Sequence, residues 1–178
     1  MSCSWWSVLS ETAPFMAAQT LHILRNLYFI SCRLGANTFS EYNFVYLSAI
    51  DILSKYPVQA EAFLRDISPS ETGSIAQHPL DRCHDLYFLN AAEHFAFVLS
   101  PQTCENLLIP SAKRYLGLGG DQRLLETFEA AHSVILFIFA APQNTDIVTR
   151  HIDAYFDILC KVSLLGAERG RVAVLTYP

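Results

Sequence analysis

The sequence predicts an all-α chain: about seven helices joined by short turns, in an antiparallel bundle or a short α-solenoid. Three observations predict it. Apolar residues recur at three- and four-residue steps along most of the 178 residues, while alternating strand patterns are scarce. Prolines, glycines and Ser/Thr/Asp/Asn residues punctuate those stretches where helices start and stop. Hydrophobic residues make up 52% of the chain and charged residues only 16%, against about 25% charged in an average globular chain. The surface is therefore thinly charged, or part of it is covered by something else. No repeat of fixed period is visible, and the length suits one domain, placed at residues 1–163, with 164–178 as a tail.

The first helix is expected over Met16 to Leu34. Ile23, Leu27, Ile30 and Leu34 form one stripe and Leu21, Leu24 and Tyr28 another, so it is covered on more than one side; Gly35 is its stop. Thr38-Phe39-Ser40-Glu41 has capping-box spacing. Phe39, Tyr42, Tyr46, Ala49 and Leu53 then step along a second helix that Pro57 ends. Val58 to Ile67 makes a third, and Ser68 to Gly73 reads as an exposed loop or hinge. Pro79 belongs to the first turn of a helix over Leu80 to Leu99. Ser100-Pro101 caps and starts the next, to Leu116, which Pro110 should kink or interrupt. After Gly117, Gly119 and Gly120, Asp121 caps a helix to Ala141 with Leu124, Phe128, Ala131, Ile135 and Ile138 on one stripe. Pro142 closes it. Asn144 opens the last helix, striped by Val148, Ile152, Tyr155, Leu159 and Val162. Beyond Leu165 the chain is turn-rich, then faintly strand-like, and is expected to be poorly ordered or not native to the fold.

Charge and cysteine content narrow the function classes. A net charge of −5 with no Lys/Arg run argues against nucleic-acid binding and against electrostatic docking on anionic lipid. Cys3, Cys32, Cys83, Cys104 and Cys160 are scattered and odd in number, the pattern of free, mostly buried thiols in a reducing setting. Met1 to Ser10 has no basic region of a secretory signal. The longest apolar run, Ser133 to Ala141, falls far short of the roughly 20 residues of a bilayer span.

Three constellations could carry chemistry. Asp81-x-x-His84 and Glu129-x-x-His132 each place a carboxylate and an imidazole on one helix face. Together with Glu41, Glu61, Glu93 or Asp153 they would make the di-metal arrangement of a helical bundle. The alternative is a capping Asp81, a solvated His84, and a Glu129 and His132 that bond neighbouring helices. Glu93-His94 is an acid/base pair or, more simply, a polar pair locking helix packing. Leu116 to Gly120 is glycine-rich, but no strand precedes it and no Lys-Ser/Thr follows, so it reads as a turn rather than a phosphate cradle. Adjacent aromatics such as Tyr87 and Phe88 point to different faces of one helix. Some aromatics must then lie outside a one-sided core, as candidates for a partner surface. No cofactor is expected and no catalytic residue is assigned.

Several strings resemble the fungal intraperoxisomal import peroxin family (peroxin eight). They are His78 to Phe95, which includes Asp85, Leu86, Tyr87, Phe88, Asn90, Glu93 and His94; Phe128 to Val134, with Glu129 and His132; and Ala140 to Asn144, with Pro142, Gln143 and Asn144. Leu27 to Ser31 and Phe44 to Asp51 are also similar to it. The similarity covers residues 20 to 160. It implies a non-catalytic peroxisome biogenesis scaffold on the matrix face of the peroxisomal membrane, associated with the membrane without spanning it. Such a scaffold would bind the import receptor for Ser-Lys-Leu-type signals and connect the docking complex with the RING ubiquitin-ligase complex. Family members are longer on both sides and commonly end in a Ser-Lys-Leu-type signal, whereas this chain ends Thr176-Tyr177-Pro178. A truncated or mis-spliced gene product, altered near Lys161, is the expectation from that departure. A helical metalloenzyme and a peripheral membrane module are the alternatives.

Overall fold

Prolines decide where many of the helices begin. In the computed structural model, which describes residues 4–34, 40–69, 75–119 and 121–175, the elements are α1 (Ser4–Leu34), α2 (Ser40–Leu53), α3 (Pro57–Ile67), α4 (Pro79–Phe95), α5 (Pro101–Thr103), α6 (Ile109–Lys113), α7 (Leu125–Ala140) and α8 (Thr145–Leu175). Among the described residues there is no strand. Pro57, Pro79 and Pro101 each occupy a helix's first turn, where the missing N–H costs nothing and φ is already helical. Pro57 thus starts α3 as well as ending α2. Ser100 Oγ accepts the Thr103 N–H at 3.2 Å, and Asp121 Oδ1 accepts the Arg123 N–H at 3.0 Å. Asp121 caps a short 3-10 turn, Gln122–Leu124, that leads into α7. Gly35, the box from Thr38 and the loop tip at 70–74 lie outside the described residues.

Pro110 perturbs its helix by widening it. Cys104–Leu108 is a π-helical turn, and the Ile109 N–H bonds to the Cys104 carbonyl five residues back. The proline ring would collide with the carbonyl four residues earlier; one π turn moves that carbonyl out of register and lets the chain continue.

α4 is the axis of the domain. It packs on α1 and α3 along one side and on α7 along the other. With neighbours on both sides it buries almost its whole circumference: Tyr87, Phe88, Ala91, Ala92 and Phe95 are all at 0% exposure. Tyr87 and Phe88 are both core, the default for the aromatics, and those outside the core are others such as Phe44, Phe97 and Phe137. A two-sided core absorbs both. Leu21 and Leu53 close the core from α1 and α2, Leu64 and Ile67 from α3, and Val134 and Ile138 from α7.

The two ends of the chain differ. α1 begins at Ser4, earlier than its apolar stripe predicts, and passes through the buried Pro14. At the other end the chain bends by 87° between α7 and α8, so α8 crosses α7 rather than returning antiparallel to it. The bend sits on a 3-10 turn, Pro142–Asn144. Asn144 does not open α8 as expected. Its buried amide instead donates to the Ile138 carbonyl at 3.0 Å, in the last turn of α7, beside the Ala141 N–H that reaches the same oxygen at 3.4 Å. α8 continues to Leu175, past the point where its stripe ends.

Candidate functional site

The residues picked out by sequence fall into two groups in space, and the fold adds a third. The largest is framework. Leu86, Tyr87 and Phe88 are core, and Asn144 is fully buried. Gln143 Nε2 donates to the Phe97 carbonyl at 2.9 Å and so ties the α7–α8 corner to the end of α4. Glu93 accepts the Ser133 hydroxyl at 2.6 Å, a bond between α4 and α7. Its neighbour His94 is exposed and sits edge-on to Tyr46, with ring centroids 6.1 Å apart. Pro142 is exposed at the corner.

The two Asp/Glu-x-x-His pairs form the second group, and the fold does not bring them together. Asp81 and His84 line one cleft, whereas Glu129 borders another, with Glu93 and Glu126. Both ring nitrogens of His132 are engaged. Nδ1 lies 2.8 Å from the Tyr155 hydroxyl and Nε2 lies 3.3 Å from the Leu116 carbonyl. The carbonyl can only accept, so Nε2 carries the proton and Nδ1 accepts from Tyr155. Burial holds this imidazole below its ordinary pKa. His132 therefore fastens α8 to α7. Among the described residues no three His, Cys, Asp or Glu side chains gather as a metal site.

Third is a cluster that sequence reasoning missed. Tyr28, Tyr42, Tyr46 and Tyr87 converge from α1, α2 and α4 around a cleft of about 300 Å3. Tyr28 and Tyr87 meet edge-on at 5.2 Å, as do Tyr46 and Tyr87 at 5.8 Å. Three of the hydroxyls are tied down. Tyr87 donates to the Leu21 carbonyl at 2.8 Å and Tyr42 to the Leu24 carbonyl at 2.9 Å, while Tyr28 accepts from Asn90 Nδ2 at 2.8 Å. The buried Tyr46 hydroxyl has no partner among the described residues. Burial pushes all four phenols far above their usual range and the neighbouring Cys32 thiol up to about 11. At neutral pH these four phenols and the thiol are thus protonated and weakly reactive, suited to packing and hydrogen bonding. The spacing of Tyr42 and Tyr46 placed both on one helix; only the fold reveals that Tyr28 and Tyr87 join them.

Large apolar side chains also face outward. Phe15, Met16, Ile23 and Leu27 do so from α1, and Phe44, Val45, Leu47 and Ile52 from α2; Phe44 is 73% exposed. Phe97 and Phe137 form a further exposed pair, edge-on at 5.8 Å, beside Leu136. Among the described residues no single helix is long and apolar enough to cross a membrane.

Comparison with known proteins follows the framework. Residues 60–140, from α3 to the end of α7, match the family model of the PEX8 central TPR-like domain. Over 155 residues the chain is 32% identical to the peroxisomal membrane protein PEX17 of Yarrowia lipolytica, a match covering 79% of this chain and 23% of that protein. Peroxisomal biogenesis factor 8 of Pichia angusta is 30% identical over 141 residues, 76% of this chain and 21% of the relative. The factor 8 of Komagataella phaffii is 28% identical over 140 residues, 74% and 20% respectively. The chain spans between a fifth and a quarter of the length of these curated relatives. No solved structure matches it.

Proposed function

We propose that the chain, similar to those peroxins over about three quarters of its length, is a fungal peroxin-family segment and a non-catalytic helical scaffold of peroxisomal matrix-protein import. In this reading it works on the matrix face of the peroxisomal membrane. It binds the import receptor for Ser-Lys-Leu-type signals and connects the docking complex with the RING ligase complex. The observation that carries the proposal is the outward apolar surface of α1 and α2, where Phe44, Leu47, Ile23 and Met16 stand in solvent. Large apolar side chains exposed in this number on two neighbouring helices are a place for a protein partner. Glu93, His132 and Gln143 of the similar segments, by contrast, are spent on holding α4, α7 and α8 together.

The decisive experiment follows a fluorescent reporter ending in Ser-Lys-Leu in cells lacking this gene. A diffuse cytosolic reporter, restored to puncta by the wild-type gene but not by a Phe44→Ser, Leu47→Ser double variant that still folds, is the expected result. Normal puncta without the gene would remove the import role. The same apolar surface also favours a second reading, peripheral attachment to the membrane itself. That reading expects flotation with liposomes in high salt, lost in the same double variant.

A further inference from the structure

Arg25 is a guanidinium in search of an anion. It projects from α1 into a cleft of about 440 Å3 shared with Asp81, His84 and Asp85 of α4, with His78 at the start of that helix and with Arg114 after α6. Its Nε is buried and has no hydrogen-bond partner among the described residues. The carboxylate nearest to the task is already engaged. Asp85 Oδ2 accepts the Tyr115 hydroxyl at 2.5 Å and pairs with Arg114 Nη2 at 3.6 Å, with both side chains of that ion pair more than nine-tenths buried. Asp81 is exposed at the rim, in the first turn of α4, where the helix's free N–H groups attract its charge. His78 Nδ1 accepts the Leu80 N–H at 3.2 Å. His84 is held below its ordinary pKa by burial first and then by the charge of Arg25, so it adds no competing charge at neutral pH. Among the described residues Arg25 forms no ion pair, although Asp81 borders the same cleft.

We propose that this cleft binds a carboxylate, with Arg25 presenting its planar fork to the two oxygens. A guanidinium matches a carboxylate in a bidentate pair, and a half-buried arginine that lacks an anion gains most from acquiring one. His84 stands beside it as a donor once a bound anion has drawn a proton onto the ring. Neither composition nor similarity assigns such a site. It lies on the α1–α4 side of the fold and does not depend on the import reading.

The test titrates the full chain with sodium acetate, chloride being exchanged to hold ionic strength constant, and reads the thermal midpoint and the Arg25 Nε–H resonance. A saturable rise in midpoint with a shift of that resonance is expected. Arg25→Gln should weaken binding about tenfold or more, while Arg25→Lys, which keeps the charge but loses the fork, should fall between. Arg123→Gln, at an exposed pair with Asp121, should bind as wild type does. Without acetate, Arg25→Gln should melt no lower than wild type, since it removes an uncompensated charge. A capped peptide carrying one aspartate separates the sources. Tighter binding than acetate places the carboxylate on a polypeptide, and equal binding places it on a small free acid. No saturable effect, or the same effect in Arg25→Gln, would overturn the proposal.

Discussion

α4 and α2 both carry apolar side chains around much of their circumference, yet they have opposite fates. In α4, Tyr87 and Phe88 sit side by side on the chain and are both sealed, because α1 and α3 cover one flank and α7 the other. In α2, Tyr42, Ala49, Ile50 and Leu53 are sealed against α1 and α3, and Phe44, Val45, Leu47 and Ile52 are left in solvent because nothing described lies beyond them. Apolar content therefore says how much surface a helix can bury. The number of flanking helices says how much it does bury, and the surplus on α2 is what a partner could use.

Paired truncations test this contrast directly. Phe88→Ala should cost about 3–5 kcal/mol in denaturant unfolding, because a sealed ring leaves a cavity. A loss below ~1 kcal/mol would mean that α4 is covered on one side only. Tyr87→Phe keeps the ring and deletes the hydroxyl bonded to the Leu21 carbonyl, so it should cost about 1 kcal/mol. The framework also carries a pH signature. His84 and His132 are both held below the ordinary imidazole range, chiefly by burial. The unfolded chain therefore takes up protons first as pH falls. Stability is fully present above about pH 6.5 and is lost as pH drops from there toward the folded-state values. Urea midpoints at pH 7.5 and 5.5 should show the loss, and His132→Gln should reduce it. At the bottom of the scale, Phe44→Ala should leave stability within about 0.5 kcal/mol of wild type. Its effect should instead appear as weaker capture of a partner in pull-downs from peroxisomal extracts.

Much of the helical order was legible because local chemistry writes it. Pro57, Pro79, Ser100-Pro101 and Asp121 announce helix starts regardless of what packs above them. Less legible was anything decided by a neighbour distant in sequence. Pro110 signalled a perturbation, but the choice of a π turn over a kink depends on keeping Leu108 and Ile109 in the core. Asn144 read as a cap for the helix after it and proved to be a cap for the helix before it, because the chain turns through 87° there. The Asp/Glu-x-x-His pairs looked alike on paper and were separated by the fold. Of the tyrosine cleft only the pairing of Tyr42 and Tyr46 on one helix was legible, and the Arg25 cleft had no signal, since both are assembled from helices distant in sequence.

The two-sided burial of α4 also imposes an order on its birth. Its first flank meets helices already made, and Tyr87 reaches back 66 residues to Leu21. Its second flank must wait for α7: Glu93 bonds to Ser133, 40 residues later. At synthesis rates of 5–20 residues per second that gap lasts about 2–8 s. During that interval the nascent chain shows a sticky, half-dressed helix to the cytosol, and a chaperone at the ribosome exit would have its best target there.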